Sequence, residues 1–275
     1  MMKKYEDFAH ELSGKIKSDD EFYYELLITV IKNPERYTGI FRASNARTKL
    51  IQNVTQSREI KFGGFMEDIV TWYIAAMGYD NLSKSITDDL EADQLFTNGR
   101  TVYLIEQKVR DDHDSTKKRG QYDNFSRKYT ALRVKYPGHE VTAVMWFIDD
   151  GLRKNRKYYL ERSESESLPG VKIHVLYGGE LFTEIFARPD VWEELCGHLR
   201  RSKSERSNEA LTVPDFDTSP EILTALRRLK AENPKLYSRL LSSRPEYIQL
   251  RAELFPSEKN LKEAQCSLSV DAVIL

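Results

Sequence analysis

The chain is short of the residues that would staple it together or carry it across a membrane. Its 275 residues include two cysteines, Cys196 and Cys266. Neither sits in a pairing framework or a metal-ligand spacing, which excludes a disulfide scaffold and points to a reducing compartment. The five histidines, His10, His113, His139, His174 and His198, lack the i, i+4 pairing of a helical zinc site, so zinc is not expected. No apolar run approaches the roughly 20 residues of a spanning helix. The N-terminus, Met1-Met2-Lys3-Lys4-Tyr5-Glu6-Asp7, turns acidic where a signal peptide would be apolar, so a cytoplasmic protein with no membrane partner is expected. Thirteen glycines and nine prolines are too few for a collagen or a low-complexity chain. Neither sign of charge is in excess: 42 Lys and Arg stand against 43 Asp and Glu, a net charge of −1 that argues against coating nucleic acid by bulk charge.

What is present is charge concentrated locally. Lys108 to Lys135 holds nine basic residues against four acidic ones, a balance of +5. Arg153-Lys154-Asn155-Arg156-Lys157 and Arg200-Arg201-Ser202-Lys203 form two further clusters. Patches of this kind meet phosphates, although a charge run is also how a solvated face is written.

The hydropathy pattern gives the order of elements. Residues 4–32 carry apolar positions at helical spacing up to Asn33-Pro34, and a second helix fits 42–56. Gly63-Gly64 is expected to open a third, apolar on most sides, that Gly78 ends. Residues 92–96 and 101–109 read as strands around Asn98-Gly99, a hairpin signal. A helix near 124–134 follows, then strands over 140–148 and 171–177, with 162–167 as a polar loop between them. A helix from Gly178-Gly179 to about Leu199, broken near Pro189, precedes three short helices at about 220–231, 234–242 and 244–254. The expected fold is α/β: a mixed central β-sheet flanked by helices, with a C-terminal helical appendage. The expected division is an N-terminal helical segment over 1–62, a core over 63–200, a linker over 201–215 and the appendage over 216–275.

Chemistry concentrates at the hairpin. With Asn98-Gly99 at the centre of a type I′ turn, Thr97 faces Arg100 and Asp93 faces Leu104. The strand period of two then puts Asp93, Glu106 and Lys108 on one face, with Glu106 diagonal to Asp93 and Glu91 in reserve opposite Glu106. Carboxylates gathered on a core strand repel one another, so they call for a cation: Mg²⁺ on oxygen ligands, or Lys108 as an ion-pair partner. Mg²⁺ beside a lysine suits hydrolysis of a phosphodiester, because one neutralises phosphate and lowers the pKa of water while the other orients or helps deprotonate that water.

Asp93, the hairpin, Glu106-Gln107-Lys108 and the apolar helix before them resemble the PD-(D/E)xK nucleases. The layout, roughly over residues 63–200, is similar to type II restriction endonucleases, and the run from Gln107 to Gln121 is similar to the segment after the catalytic lysine in one group of them. The resemblance implies Asp93 and Glu106 as Mg²⁺ ligands together with the Gln107 carbonyl, Lys108 as the catalytic lysine, Glu67 as the acidic residue beside the metal, and products with 5′-phosphates. The chain departs from the motif at Ala92, where proline is usual. A two-fold protein reads a two-fold site most simply, so the expected partner is double-stranded DNA with a short near-palindromic sequence, bound by a homodimer.

Other readings stand beside this one. Glu-x-Lys alone carries no signal, since Glu59-Ile60-Lys61 repeats it without a hairpin, and the second copy also fits a surface ion pair on an edge hairpin. Glu67 also suits the first turn of a helix, where the macrodipole favours acids. Asp111 to Asp114 can be read as a second metal site, but a substrate loop is preferred, because consecutive residues rarely converge on one ion. Asp, Gln, Arg and Lys each have base partners, so Arg110, Asp112, His113, Lys117, Lys118, Arg119 and Gln121 are candidate DNA contacts, with solvated charge as the alternative. His174, Trp72, Trp146, Trp192 and Tyr158-Tyr159 are expected to pack. The rival functions are a repair or junction-resolving nuclease on the same fold and a non-catalytic DNA-binding module.

Overall fold

The computed structural model describes residues 1–17, 19–112, 114–206 and 213–266. In chain order the elements are α1 (Tyr5–Ile16), α2 (Asp20–Lys32), α3 (Glu35–Thr38), α4 (Ala46–Ala76), β1 (Asp80–Asn81), β2 (Ser85–Thr87), β3 (Leu90–Glu91), β4 (Gln94–Thr97), β5 (Thr101–Lys108), α5 (Ser115–Lys135), β6 (Glu140–Phe147), α6 (Arg156–Ser165), β7 (Val171–Tyr177), α7 (Glu180–Glu184), α8 (Pro189–Glu205), α9 (Pro220–Glu232), α10 (Pro234–Leu240), α11 (Pro245–Leu254) and α12 (Lys259–Cys266). They form two compact units, one of residues 1–15 and 61–207, the other of 16–60 and 208–275.

The first unit is the α/β body. Its sheet has the order β1-β4-β5-β6-β7, antiparallel through β5 and parallel from β5 to β7. The switch follows from the connections: β4 and β5 are joined by a short loop, which returns the chain antiparallel, whereas α5 and α6 carry it back for parallel pairing. β6 lies between β5 and β7, is rich in β-branched and aromatic residues, and is buried at every position after Glu140. On one face Val102 and Leu104 of β5 and Ala143, Met145 and Phe147 of β6 pack with Tyr122, Phe125, Tyr129 and Leu132 of α5. Trp146 points to the other face, fully buried with Nε1 donating to the Gly178 carbonyl at 2.9 Å, beside Phe182 and Trp192. A side chain of this size contributes about 1.5–3 kcal/mol by burial.

The second unit is helical. Leu27, Val30 and Ile31 of α2 pack with Ile222, Leu226 and Leu229 of α9, and Leu236, Leu240, Leu250 and Leu261 from the last three helices close the core.

Five sequence expectations change. The helices expected over 42–56 and from 65 onward are one 31-residue helix, α4, which runs through Gly63-Gly64. Glycine costs a helix roughly 1 kcal/mol without stopping it. A Cβ would fit at both positions, at 3.9 Å from Val109 on Gly63 and 3.6 Å from the Lys15 side chain on Gly64, both ordinary van der Waals contacts. Gly78, at φ +91°, does end the helix region. The helix expected near 124–134 starts at Ser115, because Asp114 caps it by accepting from Lys117 N at 2.8 Å. Residues 162–165, expected in a loop, belong to α6, whose apolar positions are too few to show a helical stripe. The single stretch over 4–32 divides into α1 and α2, with Asp19 capping α2 through Phe22 N at 2.9 Å. Trp72, expected in the core, is 37% exposed beneath the Lys3 ammonium, 4.3 Å from its ring.

Candidate active site

The site lies where β5 ends and the chain enters β4. β4 pairs with β5 as Gln94↔Ile105, Leu95↔Leu104, Phe96↔Tyr103 and Thr97↔Val102. Extended by one position, this register sets Asp93 directly opposite Glu106, two residues from the expected pairing with Leu104. The cause is the turn. Asn98 is not in the left-handed region that a type I′ turn requires, and only Gly99, at φ +89°, is. The Asn98 side chain instead accepts from the Arg100 and Thr101 amides at 3.1 and 2.9 Å, which leaves Asn98, Gly99 and Arg100 as a three-residue connection between β4 and β5. A shift of two preserves the face of every side chain, so the expected grouping of Asp93, Glu106 and Lys108 survives with Asp93 and Glu106 closer than diagonal. Glu91 does not join them; it is exposed and pairs with Ser85 in the separate β2-β3 ribbon.

The carboxylates are held by the backbone and by two lysines. Asp93 Oδ2 accepts from Gln107 N at 2.6 Å, which fixes the residue before β4 to the end of β5. Lys108 Nζ donates to Asp93 Oδ2 at 3.2 Å, Glu106 Oε1 at 2.7 Å and the Gln107 carbonyl at 3.0 Å. Burial alone would draw the Lys108 ammonium down, but Glu106 and Asp93 outweigh it and leave its pKa raised. Glu106 is 4% exposed, and its second oxygen, Oε2, accepts from Lys128 Nζ of α5 at 2.5 Å. Lys128 escapes sequence reading as a site residue: it lies 22 positions from Glu106, and in the sequence it is one cation in a basic stretch.

Ala92, where the resembling motif has proline, donates its backbone N–H to the Lys84 carbonyl at 2.8 Å, a bond proline does not make. Glu67 lies in the middle of α4, which removes the macrodipole explanation for an acid at that position. Gln94 fastens this helix to β4, since its Nε2 donates to the Glu67 carbonyl at 2.8 Å and its Oε1 accepts from Thr71 at 2.7 Å. The Glu67 carboxylate lies 3.7 Å from Lys84 Nζ. Burial first, and then the Asp93 charge, raise its pKa against the opposing pull of Lys84 and Lys108.

Among the described residues no three His, Cys, Asp or Glu side chains gather closely enough to hold a metal. The donor set offered to a cation is two carboxylates and one carbonyl. Three oxygens from Asp93, Glu106 and Gln107 converge on a single ammonium, and such hard oxygen donors suit Mg²⁺. The residues therefore fit the ion.

Beyond β5 the expected substrate loop divides. Asp111 is fully buried and accepts from Asn155 N and Nδ2, both at 2.8 Å, and from Tyr177 Oη at 2.9 Å. It ties the segment after β5 to the one before α6, which removes it from any second metal site. Arg110 and Asp112 are exposed on this segment, and His113 lies outside the described residues. Lys117, Lys118, Arg119 and Gln121 stand on the first turns of α5. Lys117 and Arg119 are exposed, and Lys118 lies 4.6 Å over the Tyr158 ring. Gln121 turns inward, its Oε1 accepting from Tyr159 Oη at 3.0 Å.

Residues 77–203 match the family model described as type II restriction endonuclease, HinfI. No curated protein matches the chain. The matched span opens just after α4, contains the sheet and both carboxylates, and closes within α8. Over that span the chain is similar to the type II restriction endonucleases of the HinfI family.

Proposed function

We propose that the chain is a Mg²⁺-dependent, site-specific deoxyribonuclease that hydrolyses both strands of DNA at a short near-palindromic sequence and leaves 5′-phosphates. The observation that carries this reading is the convergence of Asp93 Oδ2, Glu106 Oε1 and the Gln107 carbonyl on one cationic nitrogen at the end of a core strand. Bound there, Mg²⁺ neutralises phosphate charge and lowers the pKa of a water. Asp93 and Glu106 would hold the ion with the Gln107 carbonyl, and Glu67 lies on the helix tied to β4 beside them. Lys108 Nζ donates hydrogen bonds at the same point, where it orients the attacking water and offsets charge on the phosphate. Arg110, Asp112, Lys117, Lys118 and Arg119 lie on the segment and helix that leave β5, and they supply phosphate and base contacts. Because a near-palindrome presents two equivalent scissile bonds, the working species is a homodimer with one site per strand.

The test is a digest of unmethylated phage DNA by the purified full chain in Mg²⁺, beside EDTA and Lys108→Ala controls. Discrete fragments that vanish in both controls are expected, and end-sequencing then gives the site and the 5′ ends. A metal-dependent smear would replace this reading with a repair or junction nuclease. Tight binding without cleavage would replace it with a non-catalytic module.

A further inference from the structure

The Glu106 carboxylate is gripped from both sides by lysines of different character. Lys108 reaches Oε1 from two positions along the same strand, keeps a quarter of its side chain exposed, and touches two other oxygens of the site. Lys128 reaches Oε2 from α5, across the interior, and is 6% exposed. Its neighbours on that helix face, Phe125, Tyr129 and Leu132, are buried in the apolar cluster under the sheet. An apolar residue at 128 would continue that cluster. A lysine there gives up rotamer freedom and hydration, and a buried ion pair is often no more stabilising than the hydrophobic packing it displaces. The reason for it must lie with Glu106, which is itself almost inaccessible and sits among the groups that do the chemistry.

The charges around the site show how the two lysines divide the work. Asp93 and Glu106 are balanced by Lys108 and Lys128 when no ion is present. An arriving divalent cation competes for the same three oxygens that Lys108 occupies. Lys108 has solvent to move into, whereas Lys128 is enclosed and touches the oxygen that points away from Lys108.

We infer that Lys128 is a positioning residue for DNA cleavage: it anchors Oε2 of Glu106 so that Oε1 alone is presented at the reacting centre, and Lys108 is the exchangeable ammonium. The inference rests on the proposed nuclease site and adds a member to it. It needs no movement of α5 or β5, only that one carboxylate be held in a single rotamer, the kind of placement in which an error of about 1 Å costs roughly 100-fold in rate.

The test uses the full chain as Lys128→Met, which keeps length and apolar packing, and Lys128→Arg, which keeps the charge. Single-turnover cleavage at saturating Mg²⁺, affinity for the cleaved duplex in EDTA and thermal melting in EDTA are measured together. The expected result for Lys128→Met is a rate about 100-fold lower with duplex affinity unchanged, while melting falls because Glu106 loses a buried charge partner. Lys128→Arg is expected to recover at least about a tenth of the wild-type rate, since a guanidinium restores the charge at Oε2. In ¹⁵N-lysine spectra of the DNA-free wild type, Mg²⁺ should shift or broaden the Lys108 ammonium signal and leave that of Lys128 in place. Wild-type cleavage by Lys128→Met would overturn the inference, as would displacement of both ammonium signals by Mg²⁺. Should Lys128→Met not fold, the arginine variant and the spectra decide, and an arginine variant that melts normally yet does not cleave overturns it. If Asp93→Asn and Lys108→Ala cleave normally, the nuclease site itself is misplaced; if both are inactive while Lys128→Met is not, only the role of Lys128 fails.

Discussion

The two units of this protein use buried polarity differently. In the α/β unit Glu106, Lys128, Gln107, Asp111 and Asn155 lie at or next to the end of β5, all at most 6% exposed. In the helical unit the buried polar groups Asp217 and Asn260 act as connectors: Asp217 accepts from the amides of Ser257 and Lys259 at 2.7 and 3.0 Å, and Asn260 donates to the carbonyls of Phe216 and Ser219 at 3.1 and 2.9 Å. Asp111 and Asn155 likewise tie chain segments together, so the difference lies in Glu106 and Lys128, a buried ion pair with no counterpart among the described buried residues of the helical unit. A buried ion pair adds little to stability relative to good packing, which sets it apart from a buried cap, whose hydrogen bonds satisfy the backbone.

The strongest way to break this comparison is Glu106→Gln. Two lysines would then face a neutral amide, and cleavage should fall about 1,000-fold or more, equivalent to roughly 4 kcal/mol of barrier. Urea denaturation should show a simultaneous stability loss of about 3 kcal/mol, because the buried Lys128 is left without its counterion. Cleavage at the wild-type rate would remove Glu106 from the reaction.

Leu226→Ala should act on the helical unit alone in kind, by opening a cavity in a core where Leu226 is fully buried, with a cost of about 3 kcal/mol in denaturant melts. Single-turnover cleavage by the folded fraction should remain near wild type. A thousandfold loss of rate in well-folded Leu226→Ala would show that the helical unit takes part in the chemistry.

Asp217→Ala comes next, at about 2 kcal/mol, since it strands two amides that Asp217 now satisfies. If the loss in a thermal melt is negligible, water or another group replaces the cap.

The smallest expected effect is a pH dependence shared by the two units. Burial would raise the Glu194 carboxyl, but the amides of Lys3 and Met2 and the Tyr73 hydroxyl outweigh it and leave its pKa below the usual value. Burial likewise opposes the hydrogen bonds from Ser257 and Lys259 at Asp217, whose pKa is also lowered. Both groups bind protons less readily folded than unfolded. Their stabilisation is therefore complete above the ordinary carboxyl range, about pH 4.5, and is lost as pH falls through their folded values. Denaturation midpoints measured down to pH 3 should drop, and the drop should be shallower in Glu194→Gln and Asp217→Asn. Parallel curves would show that these carboxyls are not linked to folding.

Much of β5 was legible because strand periodicity is a local property. Val102 to Lys108 alternate faces whatever the turn does, so Glu106 and Lys108 share a side even though the hairpin register differs by two. The register depended on whether Asn98 took a left-handed conformation or used its side chain as an acceptor, and both choices are open to Asn-Gly. The start of α5 was hidden by a run of charges and Gly120 after the capping Asp114, and the continuity of α4 was hidden by a glycine pair that the helix runs through.

By itself the sequence determined the composition class, the order of the strands β4 to β7, and the one face on which Asp93, Glu106 and Lys108 stand, because each follows from spacing along the chain. Only the tertiary structure decided that Asp111 is interior, that Gln121 turns toward Tyr159, and that Lys128 closes on Glu106 from a helix 22 residues away. Those facts depend on which surface of α5 meets the sheet and at what height, a result of packing many side chains at once that no local pattern encodes.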